Sequence, residues 1–186
     1  MAMPEVPIDV DSDTGIWRTD GLPMVYLPRH FLVNNHRATE AALGIEPYRA
    51  MLRGATDKSA VHWCEVESRT HGFSPLDTFH HYFRRLSQRG WGRFTVESLD
   101  IAKKRGIITL ENSIFALEYG PQENRCVCYM FEGFMTGAFR YLLGSGPQIA
   151  PSGLAEAGVH VGCAEMECAA DGSHDRCRFV FGEGLE

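Results

Sequence analysis

The spacing of side chains along this chain switches period three times, and those switches constrain the fold more than any other feature. Between Arg29 and Arg69 the pattern is helical. Phe31, Leu32, Asn35, Thr39 and Leu43 share one face and stop at Gly44, and then Tyr48, Met51, Leu52, Ala55, Ser59, His62, Trp63 and Val66 recur at three and four residues. Side chains so spaced line one side of a helix. Ser74-Pro75 predicts the start of a third helix, because serine caps the N-terminus and proline suits the first helical position. Its apolar face is Phe79, Tyr82, Phe83 and Leu86, and Gly90 ends it. Beyond Gly90 the period becomes two. Phe94, Val96 and Leu99 predict a strand, and 107–119 predicts another, interrupted at Asn112-Ser113, with 100–106 as the turn between them. Helical spacing returns over 127–143, where Gly133 and Gly137 permit close approach of a neighbour. Two final strands are predicted at 159–168 and 178–182, around a turn at 170–175. Helices, two strands, a helix and two strands define an α+β class, an antiparallel sheet with helices packed against it, rather than a doubly wound parallel sheet.

A chain of 186 residues suits one domain. Residues 1–15, acidic and proline-containing, are expected to form a flexible tail, and 16–186 one domain. Leu22–Pro28 reads as an edge strand or extended arm, and 144–153 as a loop. A net charge of −6 repels phosphate backbones, which argues against a nucleic-acid partner. Without an apolar run of spanning length or a signal-peptide pattern, no membrane association is expected and the location reads as cytoplasmic. Disulfides are disfavoured there, so the six cysteines must be core residues, metal ligands or reactive thiols.

The densest chemistry is Cys126-Val-Cys128 at the start of the glycine-containing helix and Cys163-Ala-Glu165-Met-Glu167-Cys168, followed by Cys177. A hairpin brings Cys168 and Cys177 together. Glu165, with Cys128 or Cys126, would complete three sulfurs and one carboxylate, a donor set suited to tetrahedral zinc in a closed, structural site. On an ideal strand Glu165 and Cys168 point to opposite faces, so the strand must end or bulge between them. The alternative is that these cysteines are simply small buried apolar residues.

Of the eight histidines, His80 and His81 are adjacent on a helix and diverge, one toward the core and the other toward solvent. His30 and His36 are assigned to the surface of the first helix or to a dimer contact. His62, beside Trp63, is a candidate to read a ligand's polar group, and Phe83, Trp91, Tyr119 and Phe134 are candidate walls of an aromatic-lined site. Neither a phosphate-binding glycine loop nor a Gly-x-Ser-x-Gly elbow occurs in the required context, which points away from an enzyme.

Val127–Phe139, Glu165-Met-Glu-Cys168 and Cys177-Arg-Phe179, with Gly90-Trp-Gly92 and Leu110-Glu-Asn-Ser113, resemble the 4-vinyl reductase domain over roughly residues 58–181. The resemblance implies a fold similar to the ligand-binding domains of nitric-oxide signalling and of vesicle-tethering subunits. It also implies a homodimer and a small hydrophobic or aromatic ligand held between helices and sheet. In sensory members the Cys…Glu-x-x-Cys…Cys pattern binds zinc, which assigns Cys128, Glu165, Cys168 and Cys177 as ligands. Cys126, Cys163 and Cys64 are left as core residues or alternates. The implied function is a sensory or regulatory small-molecule-binding domain with structural zinc; the competing reading is an enzyme or an accessory subunit of a reductase. A second set, Trp17–Phe31, Val33-Asn-Asn-His36 and Leu86–Gly92, resembles a stand-alone group of unknown function found near methylated-amine catabolism genes. That resemblance directs the enzyme reading toward such a pathway.

Overall fold

A computed structural model describes residues 6–121, 123–144 and 161–185. The 144–153 loop expected from sequence lies outside the described residues from position 145 on. The chain opens with a small antiparallel sheet, β1 (Asp9–Val10), β2 (Trp17–Thr19) and β3 (Leu22–Met24), in the order β1-β2-β3. Part of the expected tail is therefore paired: Asp9 lies opposite Arg18 and Val10 opposite Trp17. Three helices follow, α1 (Arg29–Leu43), α2 (Ile45–His71) and α3 (Pro75–Gln88). The Ser74 side chain accepts from Asp77 N at 3.2 Å, capping α3 with Pro75 inside it.

The main sheet comprises β4 (Arg93–Asp100), β5 (Arg105–Glu111), β6 (Val161–Glu167) and β7 (Cys177–Glu183) in the order β4-β5-β7-β6, all antiparallel. Phe94, Ile108, Leu110, Cys163, Phe179 and Phe181 are buried on these strands, against α3 and α5 (Met130–Leu142). The mixed helix and antiparallel-sheet class expected from the periodicity is the class observed. Helix α2 packs over α5, and the two glycines make this possible. A methyl at Gly133 would strike Thr56 Oγ1 and the Arg53 carbonyl, and one at Gly137 the Asp57 carbonyl.

Two boundaries differ from the periodic reading. The second strand ends at Glu111, and Ile114–Tyr119 forms helix α4 instead of continuing it. Asn112 adopts a left-handed φ of 55°, which turns the chain out of the ladder. The last long helix starts at Met130, so Cys126 and Cys128 lie in the segment before it rather than on its first turn. A run of apolar residues has no period sharp enough to mark where coil becomes helix.

Candidate metal centre

Each sulfur of the expected cluster is delivered by a different junction. Cys128 precedes α5, Cys168 follows the last residue of β6, and Cys177 opens β7 opposite Leu110 of β5. Glu165 sits within β6. The register of β6 against β7 shifts between Glu165 and Glu167, which leaves Met166 bulged and exposed. That bulge is the irregularity the sequence demanded, and it turns Cys168 back to the side of Glu165.

The four groups converge. Their ligand atoms all lie within 4.8 Å of one another, and all four residues are buried. Cys128 Sγ is 3.5 Å from Cys177 Sγ and 4.0 Å from Cys168 Sγ, and Cys177 to Cys168 is 3.7 Å. These separations are far too long for a disulfide. They match the edge of a tetrahedron of thiolates around zinc, about 3.8 Å for Zn–S bonds of ~2.3 Å. Supporting bonds fix the donors. Cys128 N donates to Glu165 Oε2 at 2.8 Å, Ser113 Oγ lies 2.9 Å from Cys128 Sγ, and Ala169 N donates to Cys177 Sγ at 3.5 Å. Glu165 Oε1 is buried without a hydrogen-bond partner among the described residues. An apolar pocket does not leave a carboxylate oxygen unpartnered without cost, and a cation would complete it.

The electrostatics agree. Burial, reinforced by Cys168, pushes the Glu165 carboxyl well above its usual range, and burial likewise raises the Cys128 thiol. The neighbouring thiols, Cys126 first and then Cys128 and Cys177, hold the Cys168 thiol far below its usual range. Crowded acids of this kind ionise together only around a positive charge.

Cys126 and Cys163 do not enter the set. Cys126 Sγ donates to the Glu165 carbonyl at 3.6 Å, and Cys163 packs in the core with its sulfur 3.8 Å from Met135 Sδ. Cys64 is a buried core thiol.

A residue missed from sequence underlies the cluster. Glu132, in the first turn of α5, is fully buried. It accepts from Arg49 Nε at 3.0 Å and from Glu165 N at 3.0 Å, and Arg53 Nε is 3.5 Å away. The signal was present in the sequence: an acid in the middle of the apolar run Met130–Met135 must find a cation or a donor inside.

The aromatic candidates divide. Trp91 and Phe134 meet with ring centroids 6.0 Å apart, and Tyr82 links Phe134 at 6.2 Å to Trp63 at 4.9 Å. Phe83 packs edge-on to Phe79 within the core, 5.0 Å between centroids. His62 is exposed on α2, because the buried face of that helix runs through Thr56, Ala60, Trp63 and Glu67, and it is not on the wall of the cavity beside Trp91. Tyr119 lies elsewhere, donating to Glu40 Oε2 at 2.9 Å, where Tyr129 and Arg125 also bind that carboxylate. His81 is buried and His80 exposed, as the helical geometry required. His36, by contrast, is not a surface residue: it is buried, 3.0 Å from Tyr48 Oη and stacked on Tyr129.

A cavity of about 460 Å³ lies between the N-terminal strands and the end of α3. Trp17, Met24, Tyr26, Leu32, Arg89 and Trp91 line it, so Trp91 is the one candidate ligand residue found on its wall.

An α+β domain with a buried cluster of three thiols and one carboxylate is the class this architecture defines. Among solved structures, the chain is similar to the phenol-responsive sensory domain of the transcription activator PoxR with phenol. Identity is 20%, the TM-score is 0.73, and the match covers 95% of this chain and 84% of that one. That likeness establishes the fold. No curated protein matches the chain significantly. Residues 2–97, just over half of the chain, match the family described as a domain of unknown function, DUF5943, and the chain belongs to that family.

Proposed function

We propose that this chain is a small-molecule-binding sensory or regulatory domain, of the 4-vinyl reductase type, whose final hairpin is tied to α5 by structural zinc. The observation that carries the zinc reading is the tetrahedral spacing of Cys128, Cys168 and Cys177, with Glu165 Oε1 beside them and without a hydrogen-bond partner among the described residues. Four protein ligands leave no open coordination position, so the ion would staple the fold and not activate water. Its binding energy would be folding energy, because the ligands come from segments far apart in the chain.

The cavity beside Trp91 supports the ligand-binding half of the reading. It has the size and the largely apolar, aromatic wall of a small-molecule site, with the Arg89 guanidinium as a polar handle. Trp63, Phe83 and Phe134 would then support the site from the core rather than touch the ligand. The similar sensory domain is phenol-responsive and its structure holds phenol, which makes small aromatic molecules the first class to try.

We take residues 16–186 as one folding unit, a cytoplasmic location and a homodimer as parts of the same reading. Val25, Tyr26, Leu27 and Phe31 form an exposed apolar stretch that a second copy would cover. The test is metal content of the purified chain together with thermal shift against small phenols and aromatic acids. One equivalent of zinc, and a ligand-dependent rise in Tm, are expected. A metal-free folded protein sinks the zinc reading, and a Tm indifferent to every such compound sinks the ligand reading.

A further inference from the structure

A second group of donors lies at the other end of the molecule, where α2, α3 and the N-terminal strands meet. Glu67 and His71 are four residues apart on α2 and share one face. His81 reaches in from α3, and Asp20 from the turn between β2 and β3. Their ligand atoms all lie within 4.8 Å of one another. His81 Nε2 is 3.0 Å and His71 Nε2 is 3.2 Å from Glu67 Oε2, and Asp20 Oδ1 is 3.8 Å from His71 Nε2. Donors bound to one first-row ion at ~2.0–2.2 Å are separated by about 3.0–3.5 Å, so the set needs only small adjustments to close.

A second observation points to a ligand. The Glu67 side chain is 0% exposed, and its Oε1 has no hydrogen-bond partner among the described residues. Asp20 Oδ2 is also buried and has no hydrogen-bond partner among the described residues. An unpartnered carboxylate oxygen this deep is expensive, and the imidazoles occupy only Oε2. We propose that Asp20, Glu67, His71 and His81 form a second divalent-cation site, with Glu67 and the two histidines as the primary donors. With two imidazoles, carboxylate oxygens and no sulfur, the site suits borderline first-row ions from Mn²⁺ to Zn²⁺ and leaves positions for water.

Two cations of α3, Arg84 and Arg85, and its C-cap Arg89 face the cluster. Arg85 donates to Asp20 Oδ1 at 3.0 Å, Arg89 approaches Asp20 Oδ2 to 4.0 Å, and Arg84 lies 2.7 Å from His81 Nδ1. Arg85 and Arg89 offset Asp20, which leaves Glu67 as the charge that draws the ion. Coordination through Nε2 leaves the His81 proton on Nδ1, so Arg84, which is exposed, turns out to solvent on binding. The site also has a structural consequence. Asp20 adjoins Thr19, which lines the 460 Å³ cavity, so the ion would pin the N-terminal strands over that cavity.

The test uses the whole chain, stripped of metal and titrated with Co²⁺. Thiolate-bound cobalt gives an intense near-ultraviolet charge-transfer band, whereas nitrogen- and oxygen-bound cobalt gives ligand-field bands alone. The two sites therefore report separately, and loss of the thiolate band would count against the zinc reading only. Wild type should take up one equivalent of Co²⁺ that adds no charge-transfer intensity. Glu67→Gln and His71→Ala should each abolish that equivalent while far-ultraviolet circular dichroism stays unchanged; the His71 side chain is 31% exposed, so its truncation spares the core. Wild type binding no Co²⁺ outside the thiolate set, or both variants binding it as wild type does, would overturn the proposal.

Discussion

Replacing Glu132 tests whether the thiol cluster is held from behind. In the folded chain its carboxylate faces two guanidinium groups and one backbone N–H, with its own side chain 0% exposed and those of Arg49 and Arg53 28% and 27% exposed. Removing one partner of a buried ion pair costs about 3–5 kcal/mol. Here the arginines are part-exposed and can recruit water, which lowers the charge contribution to roughly 1–2 kcal/mol. Stranding Glu165 N adds about 1–2 kcal/mol. Glu132→Ala should therefore lose about 2–4 kcal/mol in urea unfolding followed by circular dichroism, whereas Glu132→Gln, which keeps an acceptor for Glu165 N, should lose only about 1–2 kcal/mol. Because Glu165 N anchors the strand that presents its own carboxylate, the alanine variant should also release zinc to a chelator ten- to a hundred-fold more readily, on the order seen for lost outer-shell partners. A Glu132→Ala protein within about 0.5 kcal/mol of wild type would mean that the buried carboxylate is not positioning the site.

Cys177→Ser should yield protein without zinc, whereas Cys163→Ser, whose sulfur faces Met135, should keep a full equivalent by plasma mass spectrometry. Gly133→Ala should destabilise by about 2–3 kcal/mol in chemical denaturation, because overpacking against the α2 backbone outweighs the usual helical gain of alanine. Burial pushes the His36 pKa down to about 4 from 6.5, so between those values the unfolded chain binds a proton that the folded chain refuses. Stability from this group is complete above pH 6.5, falls as the pH drops toward 4 by up to about 3 kcal/mol, and levels below. Denaturation midpoints against pH should show that slope in wild type and lose most of it in His36→Phe.

The order of the four long helices and the four strands of the main sheet, the cap at Ser74 and the need for an irregular strand between Glu165 and Cys168 were legible in the linear chain, whereas β1, β2 and α4 were not. Each legible feature follows from local rules: side-chain period, cap chemistry and the two-residue alternation of a strand. Which segments meet is a different matter. Spacing alone left Cys126 and Cys128 as equal candidates. Only the entry of the chain into α5 turns one sulfur to the cluster and the other to the Glu165 carbonyl. Asn112 bends 114–119 out of the sheet despite its strand-like composition, and that bend carries Tyr119 away from Trp91 and toward Glu40. Glu67, His71, His81 and Asp20 read separately as ordinary polar residues of two helices and a turn, and the packing of α2 on α3, with Arg85 holding the turn between β2 and β3, makes them neighbours. Local propensity is written within a few residues, whereas a site of converging donors depends on rotations and distances between elements that no local pattern encodes.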